Sequence, residues 1–222
     1  MASVEDLFDA IARRDTTAVR PLLAADASLA RANDGAIMAT VFARYMGADE
    51  IVRLLVEAGP PLDIFQAAMI DRETDVRDLL ADDPSLAKAY AADGFTALHH
   101  AAFYGAPNAA RALLDGGADV NAVTKNFLAN MPLHAAAAGG HRDVCALLLE
   151  RGADANAPQH DGYRALHTAA MRDDRAMAEL LLAHGARAGE TNDAGQTAAD
   201  AARAQGNFAI AAWLRTIERS GG

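Results

Sequence analysis

Apolar residues along the chain follow a helical spacing within pairs of short segments. In three of these pairs the second segment carries a leucine cluster, at Leu113-Leu114, Leu147-Leu148-Leu149 and Leu180-Leu181-Leu182. Leucines grouped in this way predict amphipathic helices that bury one face. The first segment of each pair carries adjacent alanines, which let neighbouring helices approach closely, at 101–102, 136–137 and 169–170. The pattern therefore predicts short helices packed in pairs.

The same pattern returns at a long, nearly fixed period. A marker near the start of each first helix advances in steps of 35, 33 and 33 residues, at Leu98, Leu133, Leu166 and Ala199. A second marker, the glycine that follows each leucine cluster, keeps the same register at Gly117, Gly152 and Gly185. Two independent markers in one register indicate internal repeats, each containing one helix pair. We expect these glycines to adopt the left-handed conformation that ends a helix.

The first 92 residues keep this register with weaker signals. Projected backwards, the positions equivalent to Leu98 are Ile64, Thr40 and Leu7. A segment similar to 26–34 occurs 57 residues later, at 83–90. Leu7 and Ile64 are also 57 residues apart. The N-terminal part is therefore interpreted as a block of two repeats that recurs along the chain.

Three stretches resemble the ankyrin repeat family, namely DGFTALHHAAFYGAPNAARALLDGGADVNA (93–122), MPLHAAAAGGHRDVCALLLERGADANA (131–157) and DGYRALHTAAMRDDRAMAELLLAHGA (161–186). The resemblance implies an all-α solenoid of about seven helix-turn-helix units with short β-hairpin fingers. Seven units fill the chain, so we expect one solenoid over 1–222 and no separate domain. Its expected parts are divergent N-terminal repeats at 4–92, regular repeats at 93–192 and a C-terminal capping repeat at 193–219.

Thr96 is placed to cap the start of its helix, with His99 at the third helical position. A threonine hydroxyl at the cap accepts a backbone N–H, and the residue at the third position can reach back to the cap. The later repeats have His134, His167 and Asp200 at the place of His99. Met131 and Arg164 replace the capping threonine, so we expect those two helix starts to be less well satisfied.

One junction lacks the room that a finger needs. Ile64 follows Gly59 by only five positions, whereas the equivalent step in the later repeats is fourteen to sixteen positions. We therefore expect the chain to turn directly into the next helix, with a capping box formed by Asp63 and Gln66.

Two further departures concern the longest finger and the last repeat. The finger at 121–131 is two residues longer than its successor, and we expect it to expose Phe127 and Leu128 near its tip. Long loops on a regular scaffold are frequent sites of function. Arg215 stands where earlier repeats have leucine, and a terminal repeat needs such a polar outer face because nothing stacks on it.

Composition and charge narrow the class of protein. The chain has 222 residues, of which roughly a quarter are alanine, and a formal net charge of −10. An acidic chain is poorly suited to nucleic acid, because affinity for phosphates comes from Lys and Arg. No apolar run reaches the ~20 residues that span a bilayer, and the N-terminal sequence lacks a secretory signal. We expect a cytoplasmic monomer that binds neither nucleic acid nor membrane.

The residues that could carry chemistry favour structural roles. His99, His134 and His167 recur once per repeat, and packed helices lie on the order of 10 Å apart, so these rings cannot share a metal ion. Cys145 lies inside a helix at a position that holds alanine in the preceding repeat, which indicates a small buried hydrophobe. No phosphate-binding, zinc-protease or nucleophile-elbow motif is present. We expect no cofactor, no metal and no enzymatic activity.

Aromatic residues are scarce, so their placement is informative. Phe95, Phe103 and Tyr104 take three slots at a finger base and near the end of a first helix. Two repeats later the same slots hold Tyr163, Met171 and Arg172, and the repeat between them has the small residues Asn130, Ala138 and Gly139. In ankyrin-like proteins these slots face the concave groove. The candidate partner-binding residues are Phe95, Phe103, Tyr104, Phe127, Asn130, Tyr163, Met171 and Arg172.

Two functions and one packing alternative follow from this pattern. The first function is non-catalytic protein binding through the concave face of first helices and fingers, since aromatics and Arg are enriched at binding hot spots. The alternative function is a regulatory or immunity-type inhibitor that blocks one enzyme or toxin, which an acidic groove would favour. The packing alternative is that Phe103 and Tyr104 merely cover neighbouring helices.

Overall fold

The computed structural model describes residues 2–35, 38–59 and 61–220, and within them the chain forms helices and no β-strand. The first eight α-helices are α1 Val4–Ala12, α2 Thr16–Ala25, α3 Ala39–Tyr45, α4 Asp49–Ala58, α5 Ile64–Met69, α6 Glu73–Asp82, α7 Ala97–Tyr104 and α8 Pro107–Asp115. The next six are α9 Pro132–Gly139, α10 Arg142–Glu150, α11 Ala165–Met171, α12 Arg175–Ala183, α13 Ala198–Ala204 and α14 Phe208–Ser220. Short 3₁₀ helices follow α2 and α6 and precede α11, at Ala27–Arg31, Pro84–Lys88 and His160–Gly162.

Consecutive helices pack in pairs, and the pairs stack into two layers. Each odd-numbered helix, here called a first helix, packs on the even-numbered second helix that follows it. First helices also pack on first helices, in the order α5, α7, α9, α11 and α13, and second helices α6, α8, α10 and α12 do the same. The predicted all-α arrangement of packed helix pairs is confirmed.

Small residues set the close spacing of the layers. Both alanines of the pairs at 101–102 and 169–170 are fully buried, as are Leu98 and Leu148. Gly139 shows how close α9 lies to α7, because a Cβ built there would be 2.5 Å from the carbonyl oxygen of Phe103. A glycine is therefore required by packing at this point, and its small size does not by itself mark a groove.

The predicted helix starts have the expected hydrogen bonds. Thr96 Oγ1 accepts the His99 N–H at 3.4 Å, and His99 Nδ1 accepts the Thr96 N–H at 3.3 Å. The hydroxyl half of this box is lost at Met131 and Arg164, as expected. The other half persists, since the amide of each residue still donates to the histidine three positions on, at 3.0 and 3.3 Å.

The helix ends agree with their prediction, whereas the fingers are less regular than the expected hairpins. Gly117, Gly152 and Gly185 have φ of 90°, 89° and 90°, so the predicted left-handed helix ends are confirmed. The finger segments hold isolated antiparallel bridges instead of strands among the described residues, at Asn33–Met38, Tyr90–Thr96 and Thr191–Thr197.

The short junction before α5 behaves as predicted. Helix α5 begins at Ile64, where Asp63 Oδ1 accepts the Gln66 N–H at 2.7 Å and Gln66 Oε1 accepts the Asp63 N–H at 3.2 Å. Part of the predicted finger gap, Pro60, lies outside the described residues. The buried apolar residues divide at this junction into an N-terminal core at 7–70 and a C-terminal core at 64–214.

Helix α14 carries a network of ion pairs. Arg215 on α14 pairs with Asp200 on α13 and with Glu218 one turn on, while Trp213 and Ile217 pack half-buried against the C-terminal core. The position that holds leucine in earlier repeats is thus charged and ion-paired here, and the capping role of this repeat stays a prediction. The longest helix has 13 residues, and in the part of the chain that the structure describes no helix has the length and apolar character needed to cross a membrane.

Candidate functional site

The three periodic histidines connect each repeat to the next. Nε2 of His99, His134 and His167 lies 3.2, 2.9 and 3.0 Å from a backbone carbonyl of the following repeat, at Asn130, Ala157 and Gln196. A carbonyl only accepts, so Nε2 carries the proton and Nδ1 accepts the backbone N–H of the helix cap. Their predicted structural role is confirmed. We call this set the histidine ladder.

Burial keeps the ladder neutral. Desolvation lowers the pKa of His99 to about 4, and burial is also the largest cause of the lowered pKa values of His134 and His167. Both ring nitrogens of each ladder histidine are hydrogen-bonded to backbone groups, which makes these rings poor candidates for metal ligands. Within the described residues no group of three His, Cys, Asp or Glu side chains is arranged to hold a metal ion.

Cys145 is fully buried, as predicted. Desolvation raises the pKa of its thiol to about 12, and the nearby carboxylates Asp143 and Asp174 act in the same direction. The thiolate is the nucleophilic form of cysteine. At neutral pH this side chain is therefore an inert thiol in the core.

A groove of about 430 Å³ lies between α7 and α9 and continues over the turns that precede them. We call it the α7–α9 groove. It brings together four of the eight predicted binding residues, Phe95, Phe103, Tyr104 and Asn130. Its other lining residues are Asp93, His99, His100, Leu128, Ala135, Ala138 and Gln159.

Rings form one wall of this groove. Phe103 is 48% exposed and meets Tyr104 edge-on, with ring centroids 5.2 Å apart. Phe95 is half-buried and lies 5.7 Å from both His99 and His100. Tyr104 is also half-buried and packs against the N-terminal core, so the packing alternative applies to part of its surface. Phe103 remains the ring most open to a partner.

The polar groups of the groove are acceptor-rich. The Asp93 side chain is 52% exposed, accepts the Phe95 N–H at 3.0 Å and lies 3.5 Å from His100 Nε2. Burial lowers the pKa of His100, which leaves the ring neutral at pH 7 and Asp93 without a cationic partner among the described residues. Two buried atoms of groove residues, His100 Nε2 and Asn130 Oδ1, have no hydrogen-bond partner within the described part of the chain.

The longest finger differs in part from its prediction. Phe127 is 77% exposed, as expected, and meets His160 edge-on at 5.9 Å. The prediction that Leu128 is exposed was wrong. Its N–H donates to Asn126 Oδ1 and its carbonyl accepts the His160 N–H, which holds the side chain in the wall of the groove.

The remaining predicted residues lie one repeat further along, outside the α7–α9 groove. Tyr163 is half-buried with its ring 5.6 Å from His167. Met171 is half-buried, and its carbonyl accepts Asn207 Nδ2 at 2.8 Å. Arg172 is exposed and lies over Gly140, where an added Cβ would be 2.8 Å from its Nη2.

Two residues in the slot of Phe103 were missed by the sequence reasoning. Tyr45, at the end of α3, is 78% exposed, and Met69, at the end of α5, is half-buried. Each stands five positions after its register marker, as Phe103 does after Leu98. The backward projection of the repeat already contained this signal.

The charge of the groove helps to distinguish general protein binding from the inhibitor function, which an acidic groove would favour. One carboxylate, that of Asp93, is found among its eleven lining residues. The lining is therefore mainly aromatic and apolar, and it does not form the acidic path that would favour an inhibitor mimicking nucleic acid.

The chain was also compared with known proteins. A family model described as ankyrin repeats (3 copies) matches residues 7–124, 64–159 and 133–219. These overlapping matches extend over both cores and the α7–α9 groove. No match was found among curated proteins.

Proposed function

The chain belongs to the ankyrin repeat family, whose members are generally non-catalytic protein–protein interaction modules, and on that premise we propose that it binds a partner protein through the concave face of its first helices and fingers. In this proposal seven repeats form one solenoid that acts as a monomeric cytoplasmic scaffold. The observation that carries it is the α7–α9 groove, where Phe103 stands exposed on a rigid helix.

The physical argument is preorganisation. Phe103 lies in the last turn of α7, which packs against α5, α8 and α9, so little conformational entropy remains to be lost on binding. An exposed aromatic ring beside a concave apolar surface is the usual form of a binding hot spot. The groove supplies that surface through Phe95, Leu128 and Ala138.

The proposed contact line extends beyond the groove in both directions. On the C-terminal side it includes Tyr163, Met171 and Arg172, with Phe127 on the longest finger. On the N-terminal side it includes Tyr45 and Met69, which occupy the slot of Phe103 in earlier repeats. A partner that follows this line would contact one apolar residue per repeat.

An inhibitor that blocks one enzyme or toxin remains the narrower alternative. It would share the same groove, and the identity of the captured partner would distinguish it from a general scaffold. The mainly apolar lining of the groove supports the broader proposal better.

The test uses the chain as an affinity reagent and then as a titrant. The immobilised chain captures proteins from native lysate, and one captured protein is purified and titrated against Phe103→Ala. We expect a loss of about 2 kcal/mol or more in binding free energy, because a central aromatic anchor is removed.

Phe208→Ala is the matched control. Phe208 is 66% exposed at the start of α14 and is not among the residues that line the groove. Its removal should leave affinity unchanged. Equal affinity of Phe103→Ala and the unsubstituted chain would contradict the proposed site.

A further inference from the structure

We propose that the α7–α9 groove receives a cationic side chain, arginine or lysine, that stands next to an apolar residue in the partner protein. The inference rests on the proposed function and specifies the partner's chemistry at that site. Three features of the groove point to it: an uncompensated carboxylate, a wall of rings and an unpartnered acceptor.

The carboxylate is the first feature. Two acidic side chains near the first helices have an arginine partner, Asp71 with Arg44 at 3.7 Å and Glu190 with Arg164 at 2.9 Å. In the described part of the chain, the one ion-pair partner of Asp93 is the neutral His100. The described residues that line the groove include no Lys or Arg. A negative charge at the rim of an apolar groove attracts a cation and repels an acidic segment.

The rings are the second feature. A cation is attracted to the face of an aromatic ring within about 6 Å of its centroid. The chain itself uses this contact twice, with Lys125 Nζ 4.0 Å from the Tyr90 ring centroid and the Arg175 guanidinium 4.6 Å from that of Trp213. Beside Asp93 the groove offers rings of the same kind, and Phe103 is the exposed one.

The third feature is an acceptor without a donor. Asn130 lines the groove, and its buried Oδ1 accepts no hydrogen bond among the described residues. A buried polar atom left without a partner is costly, and rotation of the Asn130 amide toward the groove would let a donor on the ligand relieve that cost. Guanidinium carries five N–H donors and ammonium three, and neither carries an acceptor that would face Asp93.

The experiment selects peptides without knowledge of the natural partner. A random library of 12-residue peptides displayed on phage is selected in parallel on the unsubstituted chain, on Asp93→Asn and on Asp78→Asn. Asp78 is an exposed carboxylate on α6 outside the groove, so its variant has the same change in net charge. Asparagine at 93 keeps an oxygen that can accept the Phe95 N–H, and thermal unfolding checks that the fold is retained.

We expect Arg or Lys beside an apolar residue to be enriched at least threefold over the library on the unsubstituted chain and on Asp78→Asn, and not on Asp93→Asn. A selected peptide made synthetically should bind Asp93→Asn at least about threefold more weakly, the scale of a single partly exposed ion pair. Asp93→Glu, which keeps the charge, should retain most of the affinity.

Two outcomes would overturn the inference. One is a pool without excess Arg or Lys, and the other is a peptide whose affinity is the same for Asp93→Asn. If that peptide still loses affinity on Phe103→Ala, the proposed function stands and only the cation is excluded. If it is insensitive to Phe103→Ala as well, the groove is not the binding site and both proposals fail.

Discussion

The N-terminal region α1–α4 and the C-terminal region α7–α14 build the same stack by different means. In the C-terminal region, side chains tie each repeat to the next through hydrogen bonds. These include the histidine ladder and two asparagines, with Asn121 Nδ2 donating to Gly152 O at 3.2 Å and Asn156 Nδ2 donating to Gly185 O at 2.8 Å. In the N-terminal region an apolar contact takes the place of the ladder, where Phe8 stacks on Phe42 at 5.4 Å, and an exposed ion pair of Arg20 with Glu50 at 2.9 Å links α2 and α4.

The two ways of connecting repeats meet at the boundary between α4 and α5, here called the seam. Close packing of first helix on first helix is lacking between α3 and α5 in the described residues, and the two cores meet there. Long side chains bridge the gap instead: Arg44 Nη2 donates to Gly105 O at 3.2 Å, and Tyr104 packs on the N-terminal core. The regular fingers and the histidine ladder are therefore part of the contact that couples each repeat to the next.

The largest expected effect tests whether the two regions lose stability independently of each other. Leu55 and Leu148 are equivalent in the repeat and both almost fully buried, so Leu→Ala at either should cost about 2–5 kcal/mol through loss of packing. We expect hydrogen exchange to show lost amide protection in α1–α4 for Leu55→Ala and in α7–α14 for Leu148→Ala. Equal loss across both regions in either variant would show that the seam transmits stability fully.

The second expected effect is on pH dependence. All seven histidines lie at position 99 or later. The pKa of folded His99 is about 4, below its ordinary value of 6.5, so the unfolded chain binds more protons in that window and stability falls as pH falls. From pH 7 to pH 5 this residue alone should reduce the free energy of unfolding by about 2 kcal/mol.

Denaturant unfolding followed by hydrogen exchange at the two pH values measures this effect. The loss should appear in α7–α14 and not in α1–α4. Replacing one member of the ladder by His134→Gln, which keeps an acceptor for the helix cap, should flatten the pH dependence. An acid-sensitive N-terminal region would refute the assignment of the effect to the ladder.

A smaller effect separates the two adjacent rings of the groove. Tyr104→Ala should destabilise the protein by about 1–2 kcal/mol because its half-buried side chain packs against the N-terminal core across the seam. Phe103→Ala should change stability by no more than about 0.5 kcal/mol, as exposed positions usually do. Thermal unfolding of the two variants compares them directly. A larger cost for Phe103 would indicate that its ring belongs to the core.

The smallest expected effect is a gain. Met131→Thr restores the capping hydroxyl at α9 and should add about 0.5–1 kcal/mol of stability. Arg164→Thr should bring no such gain, because Arg164 donates to three backbone carbonyls and to Glu190. Chemical denaturation measures both, and stabilisation of the Arg164 variant would show that those bonds contribute little.

Features that depend on a few neighbouring residues were predictable from the sequence. The capping boxes at Thr96 and Asp63 follow from residue types three positions apart. The glycine helix ends and the buried Cys145 follow from the register of the repeat. Such features need no knowledge of distant contacts.

Features that depend on contacts between repeats were not predictable in the same way. Leu128 was expected to be exposed, and it is half-buried because hydrogen bonds to Asn126 and His160 turn it into the groove. The packing of Tyr104 across the seam depends on how far α3 and α5 stand apart, which no local pattern records. Of the eight candidate binding residues, the four that line the groove come from two neighbouring repeats.

The central claim, that a partner protein occupies the α7–α9 groove, is tested most directly by site-specific photo-crosslinking. The photoreactive residue p-benzoylphenylalanine replaces Phe103 in one variant and the exposed Phe208 in another, and each is irradiated in native lysate. We predict a discrete crosslinked protein from position 103, competed away by the chain without the crosslinker, and none from position 208. Identical crosslinking from both positions, or none from position 103, would contradict the account.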